Sequence, residues 1–131
     1  MSFLLDTDIC SAHLKGDRTV FGKFIQYSGR LSISVVTLAE LYSWVLRSKA
    51  PPARLELLHR FLMGVQLVPV DQAVAYQFGL ARARLLDRGD APASVDMLIA
   101  ATAMVHDLTL VTHNVSHFLR VPNLSIQDWL E

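Results

Sequence analysis

A chain of 131 residues has room for one hydrophobic core and none for a second lobe, so it reads as a single domain over residues 1–131. With 52% hydrophobic and 18% charged residues, the composition excludes a disordered or tail-like polymer. Twelve basic against twelve acidic side chains leave neither a global positive field for nucleic acid nor an acidic tail. The balance is uneven along the chain, however: residues 1–60 carry eight bases and five acids, and the remainder four bases and seven acids.

Taken in chain order, short apolar runs alternate with longer helical patterns, the sign of βα units feeding a parallel sheet. Phe3–Leu5 is a first short strand and Leu31–Val36 a second. In Thr37–Ser48, Leu38, Leu41, Tyr42 and Val45 recur at helical spacing until Pro51-Pro52, and another helix runs from Arg54 to Leu62. Gln66–Val70 is a third strand. Asp71–Arg88 is the longest helix, with Val74, Phe78, Ala81 and Leu85 on one side and Gly89 as its stop. Gly89-Asp90-Ala91-Pro92 marks a loop. Asp96–Val105 is apolar nearly all the way round, which predicts a helix covered on every side. Leu108–Thr112 is a fourth strand and Leu124–Ile126 a fifth. The single cysteine, Cys10, excludes an internal disulfide framework and a multi-Cys zinc site and fits a reducing, cytoplasmic compartment. No charge-free run reaches the length of a membrane helix, and the start lacks the basic and apolar stretches of a signal peptide.

In open α/β sheets, ligand sites form beyond the carboxyl ends of the strands. Asp6 directly follows the first strand, Thr37 and Glu40 follow the second, and Thr112, His113 and Asn114 follow the fourth; Asp96 opens the buried helix. Singly, Asp6 and Asp96 read equally as helix caps. Together the carboxylates form a like-charged cluster, costly unless protons or a cation neutralise it. Hard oxygen ligands without cysteine favour Mg²⁺ or Mn²⁺ over zinc. Such an ion polarises a phosphoryl oxygen and acidifies water, so phosphodiester hydrolysis is the natural chemistry.

Four blocks carry a family resemblance: Leu4-Leu-Asp-Thr-Asp-Ile9, Ser34-Val-Val-Thr-Leu-Ala-Glu-Leu41, Asp96-Met-Leu-Ile-Ala-Ala-Thr-Ala103, and Leu110-Val-Thr-His-Asn114 with Phe118. In this order, and with a closing Asp128-Trp129, the chain resembles the PIN-domain ribonucleases, and more narrowly the VapC toxins of type II toxin–antitoxin systems. The resemblance implies a three-layer α/β/α sandwich around a parallel sheet of four to five strands. It also implies Mg²⁺- or Mn²⁺-dependent cleavage of structured RNA, transfer or ribosomal, together with homodimerisation and inhibition by a small cognate VapB-type antitoxin. Asp6, Glu40 and Asp96 match the three acidic metal-holding positions, Glu40 directly or through water, and Asn114 matches the fourth. His117 stands where the family often has a further acid, which removes one negative charge from a second metal position. Asp8, where Asn is common, adds a charge near the site, and Thr37 and Thr112 are auxiliary.

Lys15, Arg18 and Lys23, in the basic half after the Asp6 strand, are candidates for positioning RNA phosphates, as is Arg84, an i, i+4 neighbour of Arg88 that reads equally as part of a solvated face. His113 and His117, four apart, are placed to share a transition metal only if they lie on one helical turn. Trp44, Phe61 and Met63 belong to the core or to a groove between helices. Two other functions compete. Asp6-Thr-Asp8 after a first strand and Asp71 after a middle one suit aspartyl-phosphate chemistry, of a phosphatase or a receiver domain, but that chemistry needs a late lysine and none follows Lys49. A catalytically inactive PIN-like binding module has His117 as its sole support.

Overall fold

The computed structural model describes residues 1–90 and 93–131. Five strands, β1 (Phe3–Leu5), β2 (Leu31–Ser34), β3 (Gln66–Val68), β4 (Thr109–Val111) and β5 (Ile126–Gln127), form one sheet. Its order is β3-β2-β1-β4-β5 and every pairing is parallel. The helices are α1 (Thr7–Leu14), α2 (Phe21–Gln26), α3 (Val35–Val45), α4 (Ala53–Leu62), α5 (Gln72–Asp87) and α6 (Ser94–Val105).

Successive side chains of a strand point to opposite faces, and β1 shows the result. Phe3 and Leu5 enter a core with Ile9, Leu41 and Leu58 under α1–α4, whereas Leu4 enters a second core with Ala81, Leu85, Ile99 and Ala103 under α5 and α6. Both faces of the sheet are thus covered, as an all-parallel sheet requires. The expected three-layer α/β/α sandwich is the observed architecture. Because β1 is central and the chain winds first to β2 and β3, then back to β4 and β5, the winding reverses between β1 and β4. A crevice opens at the carboxyl ends of strands at such a reversal.

Several boundaries differ from the sequence expectation. The second strand ends at Ser34 instead of Val36, because the Ser34 hydroxyl accepts the Val36 N–H at 3.0 Å and starts α3 at Val35. A cap overrides the strand preference of two valines there. The third strand stops at Val68 before Pro69, which has no N–H for a ladder. The fourth spans Thr109–Val111 and the fifth Ile126–Gln127. Helices α1 and α2 are too short for their apolar spacing to announce them. Asp96 does not open its helix: α6 begins at Ser94, and Asp96 sits in the first turn. α6 is mostly enclosed, with Met97 and Ile99–Ala103 buried. Gly89, at φ 69°, ends α5 as expected: its N–H reaches Leu86 O at 2.9 Å and the Asp90 N–H reaches Leu85 O at 2.8 Å. The loop expected over Gly89–Pro92 lies partly outside the described residues, at Ala91 and Pro92. Among the described residues, no helix is long and apolar enough to cross a membrane.

Candidate active site

Asp6 is a cap and a cluster member at once. One oxygen accepts the Thr7 N–H at 2.8 Å and starts α1, while the other accepts the Thr112 hydroxyl at 2.8 Å. The backbone puts them together: Asp6 N–H continues the ladder to Val111 O, and Thr112 N–H to Gln127 O, each at 2.9 Å. Asp6 is only 5% exposed. That burial, then the neighbouring Asp8 charge, pushes its carboxyl up to about 6 from an ordinary 3.8; the Thr112 and Thr7 hydrogen bonds oppose the rise and the Asp96 charge adds to it. Asp6 therefore feels the charges of both Asp8 and Asp96.

Asp8 has a structural task of its own. Its Oδ2 accepts the N–H groups of His113 at 2.9 Å and Asn114 at 3.2 Å, fastening the segment after β4 to α1. Desolvation nonetheless raises its carboxyl above the usual range. Asn114 joins this network through its backbone, which also donates to the Thr112 hydroxyl at 3.1 Å. Glu40, on the second turn of α3, accepts the hydroxyl of Thr7, which lies 3.3 Å from that of the buried Thr37. Thr7, the residue next to Asp6, thus brings Glu40 to the cluster. Sequence reasoning passed it over, although its place directly after Asp6 was the available signal.

Asp96 meets His117, whose Nδ1 lies 3.1 Å from Oδ2. A carboxylate oxygen accepts, so the contact is a ring N–H donated from Nδ1. His113 Nδ1 instead meets Asp128 Oδ2 at 2.9 Å, and this partner raises the His113 pKa above its ordinary value. The two histidines thus serve different carboxylates and form no shared transition-metal pair. Asp128, at the carboxyl end of β5, entered the sequence pattern only through the closing Asp128-Trp129 and with no role, and Arg120 not at all; Arg120 lines a cavity with Asp96 and His117.

The cations expected to position RNA have contacts of their own. Lys15 stands over the Trp44 ring at 5.7 Å, with Arg54 at 4.7 Å from the same ring. Lys23 stands over Tyr27, and Arg18 lies in the 3-10 turn before α2. Arg84 lines a separate cavity with Arg88, Gln77 and Met104. Phe61 joins His13, Phe21 and Phe24 in an apolar groove, whereas Met63 is exposed and outside any core.

Among the described residues, no three His, Cys, Asp or Glu side chains converge closely enough to cage a metal. The donors still suit a hard cation. Mg²⁺ keeps several waters and needs only one or two carboxylates from the protein, and Asp6 and Asp96 supply two whose mutual repulsion a cation relieves. An aspartyl-phosphate site is not built here: Asp71 follows the edge strand β3 and caps α5 by accepting the Val74 N–H at 3.0 Å.

Comparison with known proteins agrees with this geometry. A sequence model of the PIN domain matches residues 3–124. The chain is 33% identical to the tRNA(fMet)-specific endonuclease VapC of Shigella flexneri and 31% identical to that of Salmonella typhimurium, with 98% of each chain covered in both cases. Among solved structures it is similar to DNA-bound VapBC from Salmonella typhimurium, at TM-score 0.92, 31% identity and 98% coverage of both chains. It is likewise similar to VapBC2 from Rickettsia felis bound to a promoter DNA fragment, at TM-score 0.91 and 29% identity, covering 98% of this chain and 99% of that one.

Proposed function

The chain belongs to the PIN-domain family, and on that premise we propose that it is a VapC-type endoribonuclease, the toxin of a VapBC toxin–antitoxin pair, acting with Mg²⁺ or Mn²⁺. The observation that carries the reading is the buried Asp6 carboxylate, raised to about 6 and coupled to Asp8 and Asp96 at the reversal between β1 and β4. Such a cluster is unfavourable for a fold and useful for holding a cation.

Asp6 and Asp96 would hold the ion, with Glu40, directly or through water, and Asn114 as the further residues that would hold it. Bound there, the ion supplies polarisation of the phosphodiester and acidification of the attacking water. The protein's own groups do the positioning. Thr7 N–H and the Thr112 hydroxyl fix both oxygens of Asp6, the Thr7 hydroxyl holds Glu40, and His117 holds Asp96. Asp8 keeps Asn114 in place through its backbone. No side chain is required as a covalent nucleophile.

Transfer RNA is the substrate class named by two relatives about 30% identical over the full chain. Similar VapBC complexes support a VapB-type antitoxin as partner, and the family supports a homodimer. An RNA substrate and a single buried Cys10 support a cytoplasmic setting, and one sheet with a core on each face supports a single domain. The test compares wild type with Asp6→Asn and Asp96→Asn on transfer RNA, with Mg²⁺ and with chelator. Loss of cleavage in all three disabled conditions is expected; cleavage indifferent to both substitutions and to chelation would sink the mechanism.

A further inference from the structure

A cavity of about 290 Å³ borders the acidic cluster, lined by Ala93, Asp96, Ser116, His117 and Arg120. Its character differs from that of the cluster. Asp96 lies on one side, yet Arg120 contributes a guanidinium, and α6 begins at Ser94, where the preceding Ala93 offers no capping side chain to the first N–H groups. Uncapped N–H groups at a helix start favour an anion.

Arg120 is held at both ends. Its Nη1 donates to Asp90 Oδ1. Asp90 is anchored by the turn that closes α5, through its N–H to Leu85 O at 2.8 Å. Arg120 itself stands between the buried Phe118 and Val121. An arginine fork engaged at Nη1 still offers donors on Nε and Nη2, in the planar geometry that matches two phosphate oxygens. Arg120 and Asp96 thus line one cavity together, a cation beside a carboxylate.

We propose that Arg120, oriented by Asp90, binds a phosphodiester of the RNA strand in this cavity, beside the metal-holding Asp96, and so positions the strand for cleavage. The assignment rests on the nuclease reading for its substrate class. Lys15, Arg18, Lys23 and Arg84 do not line this cavity. Arg120 is a positioning residue: it acts on the strand's place and leaves the chemistry to the carboxylates.

The experiment measures binding and turnover separately. Fluorescence anisotropy with a labelled RNA hairpin in chelator, over a range of KCl, is run on wild type, Arg120→Ala, Arg120→Lys and Asp90→Ala. Melting temperature serves as the control for folding, since an exposed ion pair of this kind adds little to stability. Arg120→Ala should weaken RNA binding about tenfold, the effect of one charge-assisted contact. It should also reduce the salt slope by about 0.7, the value for one single-strand phosphate. Arg120→Lys should recover part of the affinity, and Asp90→Ala should fall between wild type and Arg120→Ala. In steady-state cleavage with Mg²⁺, the Arg120→Ala loss should appear in KM with kcat little changed, and Mn²⁺ affinity without RNA should be unaltered. A wild type that cleaves, with a folded Arg120→Ala of undiminished affinity and salt slope, overturns the proposal. A wild type that binds RNA with this Arg120 dependence but cleaves none sinks the nuclease reading and leaves the phosphate contact standing.

Discussion

Replacing Asp6 by Asn should uncouple stability from activity, and the sign can be worked out from the site. Asp6 holds its proton more tightly in the folded chain, near 6, than in the unfolded chain, near 3.8. The protonated native state is therefore favoured at low pH, and stability falls as pH rises from 3.8 through 6. The displacement corresponds to about 3 kcal/mol in total, of which about 2 kcal/mol is lost between roughly pH 4.5 and pH 8. Asparagine keeps the shape and the cap: Oδ1 accepts the Thr7 N–H, and Nδ2 donates to the Thr112 oxygen, whose hydrogen is released toward Asp8 Oδ2 at 3.5 Å. It never ionises, so it avoids the loss. Urea unfolding in chelator should show Asp6→Asn gaining about 2 kcal/mol on wild type between pH 4.5 and 8. Mg²⁺ should narrow that gap by binding native wild type alone. Cleavage of RNA by the variant should be lost. A stability difference that stays flat with pH, or that favours wild type increasingly at high pH, would refute the argument.

Three other outcomes follow from named contacts. Thr112→Val removes the hydroxyl that stabilises ionised Asp6, so the acid limb of the cleavage–pH profile should move up by about one unit, as expected for a hydrogen bond to a charged group; an unmoved limb would deny Thr112 that role. His113 owes its raised pKa to Asp128, and its stabilising contact is present below the ordinary value of 6.5 and lost as pH rises through the folded one. NMR titration should find it above 6.5 in wild type and lower in Asp128→Asn, and identical titrations would contradict the pairing. His117→Asp restores a carboxylate beside Asp96 and should tighten Mn²⁺ binding several-fold by calorimetry, with equal or weaker binding counting against a metal position there.

The parts of the fold that were legible were those with strong local signals. Leu4 between Phe3 and Leu5 reads as a strand buried on both faces, and Asp71 with Gly89 brackets α5 because cap and stop are short-range chemistry. Val35-Val36 misled because β-branched residues suit strands, and the winning interaction was a single Ser34 hydroxyl. At the site, residues directly after strands were readable because chain direction alone puts them on one edge; Asp6, Thr112 and Asn114 are of this kind. Arg120 was not, since its place depends on a turn at Asp90 thirty residues away. The roles of Asp8 and His117 were also hidden, because each is defined by a partner that only the sheet winding brings near.

Asp6 and Thr112 are separated by 106 positions and meet within 2.8 Å. Asp6 thus waits for a residue made 106 positions later, since β4 must lie against β1 before Asp6 is enclosed. During synthesis at about 5–20 residues per second, the growing polypeptide carries Asp6, Glu40 and later Asp96 as scattered, solvated carboxylates. The order of synthesis therefore sets the order of assembly: the carboxylates come together only after β4 has been made.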